Sequence, residues 1–215
     1  GCTNLTNLTG FSLPDTCTKV DNLFNGCYAL SVLSMSFGPN IVSGENWYPP
    51  NLTTLNDTEI LNSAVKLKDC TTLTDVNNMY IEKGDFNDLF NGCVKLTNLD
   101  IILGSEIGSM ARMLKNCRKI NTLPFTIPST CTNIDEIFAG TTITDVSGLT
   151  FDTRITSATN WYSSSITKAN NVTIKNNYVK LNIPTLTECD GLLLYNMNNL
   201  DNFLENTVIP RLTGL

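Results

Sequence analysis

The chain of 215 residues contains no histidine. The one side chain whose ordinary pKa straddles neutrality is therefore missing, and any acid–base work would fall to carboxylates, Lys, Tyr or Cys. Charge is scarce as well: 16% of the residues are Asp, Glu, Lys or Arg, with a net charge of −6. A phosphate-binding surface needs Lys and Arg in surplus on one face, so nucleic acid is excluded as a partner class. There is no Cys-x-x-Cys pair, which argues against a zinc site. No Gly-rich phosphate loop and no nucleophile elbow is present. No apolar run reaches the length of a membrane span, and no signal peptide is visible.

What the chain does have is repetition. A unit reading hydrophobic-Phe-Asn-Gly-Cys-x-x-Leu-x-x-Leu occurs from Leu23 to Leu33 and again from Leu89 to Leu99. Cys2, Cys27, Cys70, Cys93 and Cys117 mark five such units, with steps of 27−2=25, 93−70=23 and 117−93=24. The gap 70−27=43 holds two units, the extra one entering at Trp47-Tyr48. Later copies replace the Cys by Thr141, Ser165 and Met197. A fixed period of this size is the signature of a stacked repeat protein whose units bury apolar surface only against neighbours.

Two periodicities alternate inside each unit. Val20, Leu23, Phe24 and Cys27 stand at i, i+3, i+4 and i+7, as do Phe86, Leu89, Phe90 and Cys93, then Met110, Met113, Leu114 and Cys117, then Ile134, Ile137, Phe138 and Thr141. That spacing predicts one face of a two-turn helix, stopped at Asn25-Gly26, Asn91-Gly92 or Ala139-Gly140. Leu96, Leu99 and Ile101, or Ala169, Val172 and Ile174, then predict a short strand. The expected fold is α/β: a leucine-rich-repeat solenoid of about eight 21–25-residue units, each a short strand plus a short helix. It forms one solenoid over residues 1–215, read as a segment of a longer chain because it opens in mid-unit without an evident cap.

Recurrence of Phe-x-x-Cys-x-x-Leu-x-x-Leu makes the unit resemble the BspA-like leucine-rich repeat family. The resemblance implies an arc with a strand-lined concave face. It also implies a binding role of the kind found in bacterial surface adhesins, protozoan surface proteins and some phage proteins.

Cysteines at one repeat position that also accepts Thr, Ser or Met point to buried thiols rather than a disulfide framework. Cys17 and Cys131 occupy a second position, too far apart to pair. Arg112, Lys115, Arg118 and Lys119 form the nearest thing to a basic patch. The carboxylates Asp75, Asp100 and Asp145, with Asp201 beyond, could in principle approach glycosidase separations; no catalytic residue is assigned to them. Asn-x-Ser/Thr triplets at Asn4, Asn7, Asn51, Asn56 and Asn171 arise readily in a chain so rich in Asn and Thr.

With Leu-x-x-Leu as register, the outward strand face carries short hydroxyl and amide side chains, among them Thr6, Ser31, Thr74 and Thr97. Its candidate ligand-binding residues are Asn7, Asp75, Asn77, Asn98, Asp100 and Asn121. Tyr28, Trp47, Tyr48, Trp161 and Tyr162 are candidate stacking anchors, although Trp161 and Tyr162 fall at core positions of the unit. The expectation is a non-enzymatic recognition or adhesion module, without cofactor or metal, on a cell surface or virion. Its partner would be a protein or glycan on another cell surface. The alternative is a structural spacer that contacts only sibling subunits in a large assembly, and the third reading is a carboxylate-dependent glycan hydrolase.

Overall fold

The protein is described by a computed structural model over residues 1–207, with backbone alone at 212–213. Its strands are β1 (Asn7–Ser12), β2 (Val32–Phe37), β3 (Thr54–Asn56), β4 (Glu59–Ile60), β5 (Asp75–Asp85), β6 (Asn98–Ser109), β7 (Thr150–Phe151), β8 (Thr173–Ile174), β9 (Cys189–Asp190), β10 (Leu193–Leu194) and β11 (Leu212–Thr213). All pair in parallel with the next coil of the chain. β1 lies on β2, β2 on both β3 and β4, these on β5, and β5 on β6. β7, β8 and β10 form a second ladder, and β9 pairs with β11. Single bridges continue the stack, as in Ser109 to Asn133 to Ser157 and Asp145 to Lys168 to Glu188. The architecture is a β-solenoid of about eight turns.

The two-turn helices do not form; among the described residues there is no helix. The segments expected to be helical are tandem turns whose amides alternate in direction. In the coil that begins at Phe86, the N–H groups of Leu89, Asn91 and Cys93 bond three residues back, to Phe86, Asp88 and Phe90. The N–H groups of Asp88, Phe90 and Gly92 leave the coil and reach Ala111, Met113 and Lys115 in the next one. An α-helix would spend all of these amides on i−4 carbonyls, so stacking and helix compete for the same donors. Here the stack takes every second one.

This alternation requires left-handed residues, two in each of the coils that begin at Phe86, Met110 and Ile134. Asp88 and Gly92 have φ of 61° and 80°, Arg112 and Asn116 of 56° and 63°, and Glu136 and Gly140 of 53° and 73°. Outside glycine, Asn and Asp tolerate that region best. Of the thirteen non-glycine residues with positive φ, eight are Asn and three are Asp. Part of the chain's Asn content thus has a backbone cause.

Inward positions were legible despite the helix error. Phe86, Leu89, Phe90, Cys93, Leu96, Leu99 and Ile101 are buried, as are their equivalents at Met110, Met113, Leu114 and Cys117. Leu23, at 36% exposure, and Cys2, expected in the buried Cys column but exposed, are exceptions. One correction of register falls at the Trp161 coil. Ser163, not Ser165, is fully buried there, and its hydroxyl donates to the Thr141 carbonyl at 2.7 Å.

The long sheet stops at β6. Pro124 and Pro128 lie in the coil that follows, and a residue without N–H cannot donate to a ladder. A cleft of about 540 Å³ remains there, lined in part by Ile102, Leu103 and Phe125.

Candidate functional site

The strand face gathers most of the residues assigned to it. In register across the sheet run Asn7, Val32, Thr54, Asp75 and Asn98. Beside them the side-chain amide of Asn98 donates to Oδ1 of Asn77 at 2.7 Å, and that of Asn77 donates to Oδ1 of Asn56 at 2.9 Å. A parallel line joins Asn78 Nδ2 to Asp57 at 2.8 Å, while Asp100 accepts from the backbone N–H of Asn78 at 3.2 Å. Asp75 accepts from the Thr74 hydroxyl at 2.6 Å. Asp75, Asn77, Asn98 and Asp100 therefore form one patch, Asp75 by its register beside Asn98 and the other three by bonds between coils. Asn7 sits at the far edge of the same face, exposed on β1. Asn121 is exposed but outside any strand, in the proline-containing coil, and does not join the patch.

The candidate acids offer no buried carboxyl. Asp100 and Asp201 are exposed, Asp75 is half-buried, and Asp145 is exposed and accepts from the backbone N–H of Ser147 two residues on. Half of the basic patch is paired between coils: Arg112 makes a bidentate pair with Asp88, and Lys115 pairs with Glu136 at 2.8 Å, while Arg118 and Lys119 are exposed. No group of three or more Cys, Asp or Glu could hold a metal ion among the described residues. Among the described residues no helix is long and apolar enough to cross a membrane.

All eight cysteines are free thiols; Cys2 is exposed, Cys17 half-buried and the other six buried. Cys93 donates to the Leu67 carbonyl and Cys117 to that of Phe90, each at 3.1 Å. Burial pushes the Cys70 thiol up to about 11 and that of Cys117 up to about 12, so neither supplies thiolate at neutral pH.

Trp47 and Trp161 are fully buried rather than exposed anchors, and of the proposed aromatics Tyr28 alone is largely exposed, at 61%. Both tryptophans belong to a feature that the 24-residue period concealed. Between residues 37–67 and 151–181, a shift of 114, thirteen of thirty-one residues are identical, among them Phe37/Phe151, Asn46/Asn160, Trp47/Trp161, Tyr48/Tyr162, Asn62/Asn176 and Lys66/Lys180. The structure repeats with the sequence. Trp47 Nε1 donates to the Lys66 carbonyl at 2.7 Å and Trp161 Nε1 to that of Lys180 at 2.9 Å. Tyr48 and Tyr162 hydroxyls donate to the carbonyls of Lys68 and Asn182. Each Trp ring meets a phenylalanine edge-on, Phe37 at 4.5 Å and Phe151 at 4.8 Å between centroids.

These bonds span 19 and 20 residues instead of 24, because the coil after each Trp-Tyr pair is short. Aromatic side-chain donors stand where longer coils use backbone amides. A notch opens at the shortened corner: about 310 Å³ beside Asn46, Tyr48 and Lys66, and about 460 Å³ beside Asn160, Tyr162 and Lys180.

No protein-family model, curated protein or solved structure matches the chain.

Proposed function

We propose that the protein is a recognition module of the leucine-rich, BspA-like kind. On this reading it is displayed on a cell or virus surface and binds a protein or glycan through its strand face without performing chemistry. The observation that carries the reading is the patch of Asp75, Asn77, Asn98 and Asp100, in which Asn77, Asn98 and Asp100 are held by hydrogen bonds between coils and Asp75 by the neighbouring Thr74 hydroxyl. Rows of amides and carboxylates pre-positioned in this way lose little conformational freedom on binding. Repetition along the stack adds avidity for a repeating partner.

The test is attachment of fluorescently labelled protein to a glycan array and to intact cells. Asn98→Ala with Asp100→Ala should lower attachment at least tenfold while the thermal midpoint moves little. Equal attachment by the double variant would favour the spacer reading, in which these faces contact only sibling subunits. Release of product from a glycan, abolished by Asp100→Asn, would instead favour a hydrolase.

A further inference from the structure

We infer that the two Trp-Tyr notches are a matched pair of binding subsites for an uncharged, hydroxyl-rich ligand, a linear oligosaccharide, that engages both at once. This goes beyond the strand-face reading, since the notches lie at a different corner of the coil.

Three observations carry it. The first is duplication of a cavity: the same shortened coil, with the same Asn, Tyr and Lys at its rim, occurs twice and opens a notch each time. The second is unspent hydrogen-bonding capacity. On the strand face Asn56, Asn77 and Asn98 are tied to one another, whereas the side chains of Thr159, Asn160, Tyr178 and Asn182, all lining the second notch, make no hydrogen bond within the described residues. Asn46 is likewise unbonded in the first notch. In the second notch, donors and acceptors on a rigid wall beside the half-exposed ring of Tyr178 (54%) suit the polar edges and apolar face of a pyranose; the first has Ala64 at that position and offers Tyr48 instead. The third is charge. The first notch carries Glu45 and Asp69 against Lys66 and Lys68, and the second carries only Lys180, whose ammonium lies against the Asn199 carbonyl at 3.4 Å. Neither wall favours a strongly charged ligand.

Geometry links the two. Between them the ladder runs from Trp47 to Lys66, Leu67 to Leu89, Phe90 to Met113, Leu114 to Ile137 and Phe138 to Trp161, which is five steps. At about 4.8 Å per step the notches are roughly 24 Å apart along the stack. A ligand shorter than that span occupies them separately; a longer one gains effective concentration from the second contact.

Trp161 lines the second notch, and the indole of Trp47 donates to the carbonyl of Lys66, which lines the first; the chain has no other tryptophan, so the two indole N–H resonances report on the notches selectively. The experiment titrates 15N-labelled protein with the disaccharide and the octasaccharide of three neutral series: cello-, chito- and malto-oligosaccharides. One series is expected to shift both indole signals. Its octasaccharide should bind at least tenfold more tightly than its disaccharide. Glu45→Phe and Thr159→Phe fill the first and second notch at equivalent exposed positions without adding an indole; each should silence its own indole response and remove the octasaccharide advantage. Asn98→Ala with Asp100→Ala should leave the titration unchanged, which separates this inference from the strand-face reading. No shift with any series would overturn it, and so would a response at one indole only, or equal affinity for short and long ligands.

Discussion

The side-chain amide of Asn98 donates to Oδ1 of Asn77 across 2.7 Å, one coil beyond the point where Asn77 donates to Asn56. Asn77 is thus both donor and acceptor in one row, and its partners depend on it in different ways. Asn77→Ala removes both bonds and should cost about 1 kcal/mol, since the groups it strands can turn to water. Asn77→Asp keeps the acceptor for Asn98 but sets a carboxylate against Oδ1 of Asn56, so it should be the more damaging of the two. Urea unfolding of the three proteins decides the order; a harmless Asn77→Asp would mean that the row is not formed.

Gly92 tests the left-handed positions. Its φ is +80°, and an added Cβ would collide with the Asp69 carboxylate of the preceding coil. Gly92→Ala should therefore destabilise by more than the ~1 kcal/mol typical of a conformational penalty alone. Asn116 occupies the same position one coil on, at φ 63°. Asn116→Gly should be near neutral, because both residues tolerate that conformation. If the alanine variant melted at the wild-type temperature, the turn geometry described above would be wrong.

The same residues explain what could be read in advance. The 24-residue step, the inward Leu, Phe and Cys columns and the polar strand face all follow from side-chain pattern; Leu23 and Cys2 prove exposed, and Asn121 falls outside the strands. The helices did not form because i, i+3, i+4, i+7 spacing belongs equally to tandem turns facing one interior. The contrary signal was Asn22, Asp88 or Asn160 at the left-handed second turn position, where an amphipathic helix has no need of Asn or Asp. The notches were hidden differently. Trp47 and Trp161 occupy core columns of the short repeat, and only a shift of 114 residues makes them, with Lys66 and Lys180, into copies of one another.

Acid should probe the pair between Asp88 and Arg112. Burial works to raise the Asp88 carboxyl, but hydrogen bonds from Arg112 and Asn91, with the positive charges of Arg112 and Lys68, outweigh it and hold the group below the ordinary carboxylate range. A folded pKa depressed in this way adds stability above the unfolded value of about 3.9, and the gain is lost as pH falls through the lower folded value. The stability gap between wild type and Asp88→Asn should be constant from pH 7 to about 5 and then close below about 3.9. Partial exposure of both partners limits it to ~1 kcal/mol or less. A gap that widened in acid would reverse the assignment.

Thiol labelling checks the packing of the columns. Iodoacetamide at pH 8 should modify Cys2 and Cys17 first, and leave Cys27, Cys70, Cys93, Cys117, Cys131 and Cys189 untouched until denaturant is added, because these six are buried. Mass spectrometry of the labelled chain counts them directly. Rapid modification of Cys93 or Cys117 in buffer would show that the coils open locally.

The alternating amides have a further consequence for length. The longer coils hand their outward N–H groups to carbonyls 23 residues ahead, as Phe90 does to Met113 and Leu114 to Ile137. A change of length inside a coil has to be taken up at a corner, as the aromatic donors do in the shortened coils after Trp47 and Trp161, while a gain or loss of one whole coil leaves every donor in phase. Such a molecule lengthens and shortens like a ruler cut at its graduations. The reach between its two tryptophan corners changes only in increments of about 4.8 Å.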